Sequence, residues 1–206
     1  MTTQVNTKAN FLKAVALIEK KEGVNELVHW LDTETDFFIA PASTNFHGNY
    51  EGGLAEHSLN VARFALHNFN IILQAKPDLE YLRDSVIFCG LFHDVCKVNF
   101  YNKQEKWTKD ANNKWVSYRG YAVKDTFPFG HGEKSVYLIL KLMKLTDAEA
   151  LAIRWHMGHT EMSVNFANSS QNYAFSEAMN HPLVRLIHGA DMLSMTIEDH
   201  IDHKNN

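Results

Sequence analysis

Apolar residues recur at spacings of three and four along most of the chain, the period of helices that bury one face. Phe11, Ala14, Val15 and Ile18 carry the first stripe and predict a helix over 11–21, with Asn10 as its cap. Gly23 interrupts the pattern before a short helix over 24–31. Pro41, Gly48, Gly52 and Gly53 mark residues 37–53 as loop. Leu54, Leu59, Val61, Ala62, Ala65, Leu66 and Phe69 predict a helix over 54–72. Pro77 and Asp78 open another that runs through Val86, Ile87, Leu91 and Phe92 to about Lys97.

The pattern changes between Asn99 and Pro128. Trp107, Trp115, Val116, Tyr118, Tyr121 and Val123 favour strands, and residues 110–113 are turn-formers, so a β-hairpin over about 103–125 is expected between helices. Helical spacing resumes at 133–145. Thr146 with Glu149 three residues on forms a capping box for a helix reaching about Met157. Residues 158–170 read as loop, and Ser176 and the stretch 182–201 supply the last helical segments. The fold class is all-α with one inserted hairpin. The chain shows no repeat or dividing linker, so a single domain over 1–206 is expected, with N-terminal helices at 9–32 packed on its core.

Composition narrows the partners. The 206 residues are 45% hydrophobic and 21% charged, enough to build a sizeable core. A net charge of −4 argues against a generally basic nucleic-acid binder, so no stable nucleic-acid complex is expected. Neither a signal peptide nor a membrane-spanning run is visible. Cys89 and Cys96 form no CxxC pair, and reduced, buried thiols in a cytoplasmic protein are the simplest reading. Gly48, Gly52 and Gly53 lie too far from any strand signal to form a phosphate loop.

Histidine is the outlier, with 12 residues. Five places pair potential ligands with helices or helix ends: His57, the dipeptide His93-Asp94, His131, His156 and Asp191. A bundle can project such side chains into one internal site. Imidazole and carboxylate donors without thiolate suit Mn, Fe, Co, Mg or catalytic Zn. Asp94 behind the apolar run ending at Phe92 is costly to bury unless a cation compensates, although a solvated helix end explains the dipeptide alone.

Taken together, Gly52-Gly53-Leu54-Ala55-Glu56-His57, His93-Asp94 and His188-Gly189-Ala190-Asp191 resemble the HD-domain superfamily of metal-dependent phosphohydrolases, over roughly residues 45 to 200. The resemblance implies a helical bundle in which His57, His93, Asp94 and Asp191 hold a divalent metal. His131 and His156 occupy the interval where members with two metals add two histidines, so one or two ions per chain are expected.

It further implies hydrolysis of a small phosphoester, such as a nucleotide, by water that the metal acidifies, with Asp94 positioning that water. Lys97 would offset charge on the phosphate, and so would Arg154, for which the solvent face of its helix is a competing role. His188 could orient Asp191, touch substrate or simply pack, and His159 could be a ligand, support one or lie in a loop. Glu133 is either a supporting carboxylate or a first-turn acid. The aromatic segment 107–129 either recognises a base or pins the hairpin through Trp115, Tyr121 and Phe127. Two alternatives remain: a 3′-to-5′ exonuclease or phosphodiesterase on single-stranded RNA or DNA, and a sensor that binds a nucleotide without cleaving it.

Overall fold

A computed structural model describes residues 2–110, 112–158 and 170–198. Among them are eight α-helices and one two-stranded antiparallel sheet. The helices are α1 (Thr2–Val15), α2 (Val24–Thr33), α3 (Gly53–Ala75), α4 (Arg83–Phe92), α5 (His131–Leu140), α6 (Asp147–Arg154), α7 (Ser170–Ala178) and α8 (Pro182–Ser194). Strands β1 (Tyr101–Lys109) and β2 (Trp115–Val123) form the hairpin. No described helix is long and apolar enough to cross a membrane.

The bundle is centred on α3, which packs on α4 and α8, while α6 packs on α8 and α5 on α6. Buried Phe11 ties α1 to this core, its ring 5.2 Å from Phe37 and 5.6 Å from Phe92, both edge-on. Two glycines set how closely helices approach. A Cβ on Gly90 would fall 2.6 Å from the Ala62 Cα, so α4 crosses α3 backbone to backbone. One on Gly132 would fall 2.1 Å from the Arg154 carbonyl oxygen, which seats the start of α5 on the end of α6.

Several boundaries differ from the sequence reading. Helix α1 begins at Thr2, so Asn10 is interior and its side chain donates to Asn6 Oδ1 at 3.0 Å rather than capping. That helix stops at Val15, because i to i+3 bonds tighten the chain there and Lys20 N is drawn to Asp84 Oδ2 at 2.8 Å. The single helix expected over 77–97 is three pieces: a 3₁₀ segment Pro77–Leu82, α4, and a short turn Val95–Lys97. The break falls at His93-Asp94. Helix α5 ends at Leu140 rather than 145.

The capping box of Thr146 and Glu149 is present as expected. The hairpin runs in register from Tyr101↔Val123 to Lys109↔Trp115, two residues earlier than predicted. Asp110 Oδ1 accepts from the backbone of Asn112 and Lys114 at 2.8 and 2.9 Å and so holds its turn. Trp115 does not pin the hairpin: it is 65% exposed, with Lys109 over its ring. Phe127 does make contact with the bundle, stacking on Phe129 and meeting Tyr137 of α5.

Candidate metal centre

Three helices and two turns deliver the predicted ligands to one buried place. His57 lies one turn into α3, His93 and Asp94 follow the end of α4, and His131 opens α5. His156 sits in the turn after α6, and Asp191 is on the inner face of α8. Because the helix breaks after Phe92, His93 and Asp94 turn their side chains into the same space.

Asp94 divides that space. Its Oδ2 is 3.5 Å from both His57 Nε2 and His93 Nε2. Asp191 Oδ1 completes this group, 3.2 Å from His57 Nε2 and 3.9 Å from His93 Nε2. The other oxygen, Oδ1, faces His131 Nε2 at 2.8 Å and His156 Nε2 at 3.3 Å. Among the described residues, His57–His93–Asp94, His93–His156–Asp191, Asp94–His131–His156 and His47–His57–Glu198 are three-donor groups able to hold a cation.

The imidazoles are oriented for that task. His93 Nδ1 lies 2.9 Å from the Gly90 carbonyl and His156 Nδ1 2.6 Å from the Ile153 carbonyl. His57 Nδ1 meets both oxygens of Glu198 at 3.1 and 3.0 Å. Carbonyls and carboxylates only accept, so these contacts assign the protons to Nδ1 and leave the Nε2 lone pairs facing inward. His57 Nε2 and His93 Nε2 then stand 3.2 Å apart, a contact that requires positive charge between them. Among the described residues, His156 Nε2 is buried with no hydrogen-bond partner beyond its 3.3 Å contact with Asp94 Oδ1. Donor separations of this size match side chains that share one cation at about 2.0–2.2 Å. The donor set fits a divalent metal.

Charge in the cluster is balanced internally. Burial pushes the Asp94 carboxyl up, but the Lys97 ammonium, with His93, His131 and His156, outweighs it and holds Asp94 well below the ordinary value. Asp191 is likewise lowered, because its hydrogen bond to His57 and the charges of His93 and His156 overcome burial. Burial lowers His57, yet Asp191, Asp94 and Glu198 raise it well above the usual imidazole value. The ionised carboxylates thus call for a proton or a metal at the Nε2 atoms.

Other predicted residues take more specific places. Lys97, in the turn after Asp94, puts Nζ 2.6 Å from Asp94 Oδ2. Arg154 is paired with Glu133, and its guanidinium lies over the Trp155 ring at 4.0 Å. His188 Nδ1 donates to the His156 backbone oxygen at 2.6 Å, so it braces the His156 turn rather than Asp191. The Cys96 thiol stands 3.4 Å from His131 Nδ1, and burial raises its pKa so that it stays protonated. His159 lies outside the described residues.

The sequence reading missed two neighbours. His47, given no role there, lies beside His57 with the rings tilted and their centroids 5.0 Å apart. Glu198 is absent from the predicted set, although it follows Asp191 and Ser194 by seven and four residues, a spacing that could flag it.

The HD-domain family model matches residues 54–196, more than half of the chain. The dihydroneopterin 2′,3′-cyclic phosphate phosphodiesterase of Methanocaldococcus jannaschii is 39% identical over 80 residues, 39% of this chain and 32% of that protein. The chain thus spans about a third of the length of the curated relative it matches. No solved structure matches.

Proposed function

The chain belongs to the HD-domain family, and from that premise we propose that it is a metal-dependent phosphohydrolase acting on a phosphoester of a nucleotide or similar small molecule. The observation that carries the reading is the division of labour at Asp94, whose two oxygens face two separate donor groups. His57, His93, Asp94 and Asp191 would hold one divalent ion, and Asp94, His131 and His156 a second. Such ions acidify water and polarise phosphoryl oxygens. A cyclic phosphate is a candidate substrate, since the named activity of the matched relative is on one.

The remaining roles follow from position. Asp94 ties the two donor groups together and orients what binds between them. Lys97 keeps its ammonium at the edge of the cluster, where charge grows on phosphate oxygens during attack. The His131 side chain is 26% exposed while the other ligands are buried, so substrate enters on that side. Arg154, bound to Glu133, and His188, bound to the His156 carbonyl, act from behind. Residues 1–206 form one HD-type unit in this reading, and the buried, unpaired Cys89 and Cys96 suit the reducing cytoplasm.

The test is a panel of 2′,3′- and 3′,5′-cyclic nucleotides, mononucleotides and nucleoside triphosphates with manganese-loaded protein. Release of a phosphomonoester or inorganic phosphate, abolished by His93→Ala, is expected. No turnover on any phosphoester would overturn the proposal.

One observation favours the strand-cleaving alternative. Lys103, Lys106, Lys109, Lys114 and Arg119 outnumber Glu105 and Asp110 on the hairpin of a chain whose net charge is −4. The register puts Lys103, Trp107, Lys109, Trp115, Arg119 and Tyr121 on one face. Basic and aromatic side chains in that mixture suit a single strand. Degradation of labelled oligonucleotides that weakens steeply with salt, and is lost in a Trp107→Ala/Trp115→Ala variant, would favour it over the small-molecule reading.

A further inference from the structure

We infer that Glu198 is a positioning residue for the metal centre: it fixes the His57 imidazole with Nε2 toward the cluster and makes that nitrogen a stronger donor than the other histidines. The inference rests on the reading of the His/Asp cluster as a metal site.

The geometry begins on α8. Asp191 and Ser194 lie on its last turn, and after Ser194 the chain tightens through bonds from Thr196 N to the Leu193 oxygen and Ile197 N to the Ser194 oxygen, both 3.1 Å. This brings Glu198 back over the start of α3. Its side chain is 2% exposed, and both carboxylate oxygens face His57 Nδ1. Asn60 Nδ2, one turn further along α3, donates to Oε1 at 3.2 Å and anchors the carboxylate.

Ser194 fixes the direction of the His57 contact independently. Its hydroxyl donates to the Asp191 carbonyl at 2.8 Å, which spends its only hydrogen. The same oxygen lies 3.3 Å from His57 Nδ1 and can therefore only accept there. Two neighbours that can only accept put the proton on Nδ1 and the lone pair on Nε2, 3.2 Å from Asp191 Oδ1.

His57 differs in this from its partners. His93 and His156 give their Nδ1 protons to neutral backbone carbonyls three residues earlier, inside their own helices or turns. Such contacts form with the local fold. The acceptor for His57 is an ionised side chain 141 residues away, joined to the cluster only when α8 has docked on α3. A carboxylate draws the Nδ1 proton more strongly than a carbonyl and so raises the basicity of Nε2, and partners of this kind change metal affinity about 10–100-fold. Glu198 thus makes the His57 donor depend on closure of the α8 end, with Asp191 and Glu198 arriving together.

Manganese and zinc affinities of the full chain, measured by chelator competition for wild type, Glu198→Gln, Glu198→Ala and His93→Ala, test this. Glu198→Ala is expected to weaken metal binding about 10–100-fold, and Glu198→Gln, which still accepts from Nδ1 without the charge, to fall between. In zinc-loaded wild type, nitrogen-15 histidine spectra should show the His57 proton on Nδ1, and Glu198→Ala should shift that signal most among the ligand histidines. Circular dichroism and melting of the metal-free variants check that they fold. Equal metal affinity in wild type and folded Glu198→Ala would overturn the positioning role. Absence of metal binding by wild type would instead overturn the metal site itself.

Discussion

His57 Nε2 and His93 Nε2 stand 3.2 Å apart, with each ring turned by its Nδ1 partner so that its lone pair faces the other. Two acceptors at that distance repel unless positive charge lies between them. In the metal-free protein a proton on His57 serves, held there by Asp191, Asp94 and Glu198 against the effect of burial.

Metal should therefore stabilise the fold. At a free concentration about 100 times its Kd, a bound divalent ion contributes about 2.7 kcal/mol. For a chain of this length that raises Tm by roughly 5–10 °C. Melting with manganese and then with excess EDTA checks it, and an unchanged Tm would contradict the fit of the donor set.

Asp94 serves both donor groups, so its loss should differ in kind from the loss of a flanking histidine. Asp94→Asn is expected to lower metal content at both positions and activity by about 10²–10³-fold or more. His131→Ala should remove only the ion on its own side and leave the group around His57 occupied. Metal analysis of the two purified variants distinguishes these outcomes.

Gly90 sets the approach that brings His57 to His93. A methyl at that position would meet the Ala62 backbone, so Gly90→Ala must push α4 from α3. A cost of about 1–3 kcal/mol is expected by urea unfolding, together with weaker metal binding. A variant with wild-type stability and affinity would show that the helices can separate without disturbing the centre.

Glu149 links three elements away from the centre: Lys21 at 2.7 Å, Ser85 at 2.8 Å, and the Thr146 backbone at 2.8 Å. Burial raises its pKa, but Lys21, Thr146 and Ser85 together hold it below the ordinary value. A depressed carboxyl stabilises the fold fully above its unfolded pKa, about 4.3, and this is lost as pH falls through the folded value. Wild type should thus exceed Glu149→Gln by about 1–2 kcal/mol at pH 7, with the gap shrinking below about pH 4. Urea unfolding of both proteins across pH 3–7 measures it.

The legible parts of this protein are those set by nearby residues. Helical spacing placed α3, the strand-formers and the turn at Asp110 placed the hairpin, and Thr146 with Glu149 marked the start of α6. The order His57, His93-Asp94, His131, His156, Asp191 was readable, and all six side chains do meet. What escaped depends on packing across the bundle. The helix break after Phe92 has no Gly or Pro to announce it, yet it decides that Lys97 folds back onto Asp94. Helical phase leaves His188 free to orient Asp191, touch substrate or pack, and only the fold shows its ring reaching the His156 carbonyl in another element. Glu198 meets His57 only because α8 docks on α3, so its spacing from Asp191 could flag the residue but not its partner.

The central claim is that this cluster directs water onto phosphorus. The most direct measurement is turnover of the best phosphoester from the panel by metal-loaded protein in ¹⁸O-water, with Asp94→Asn alongside. One ¹⁸O atom in the phosphoryl product of the wild type, and no product above background from the variant, are expected. Unlabelled phosphoryl product, or equal turnover by Asp94→Asn, would contradict it.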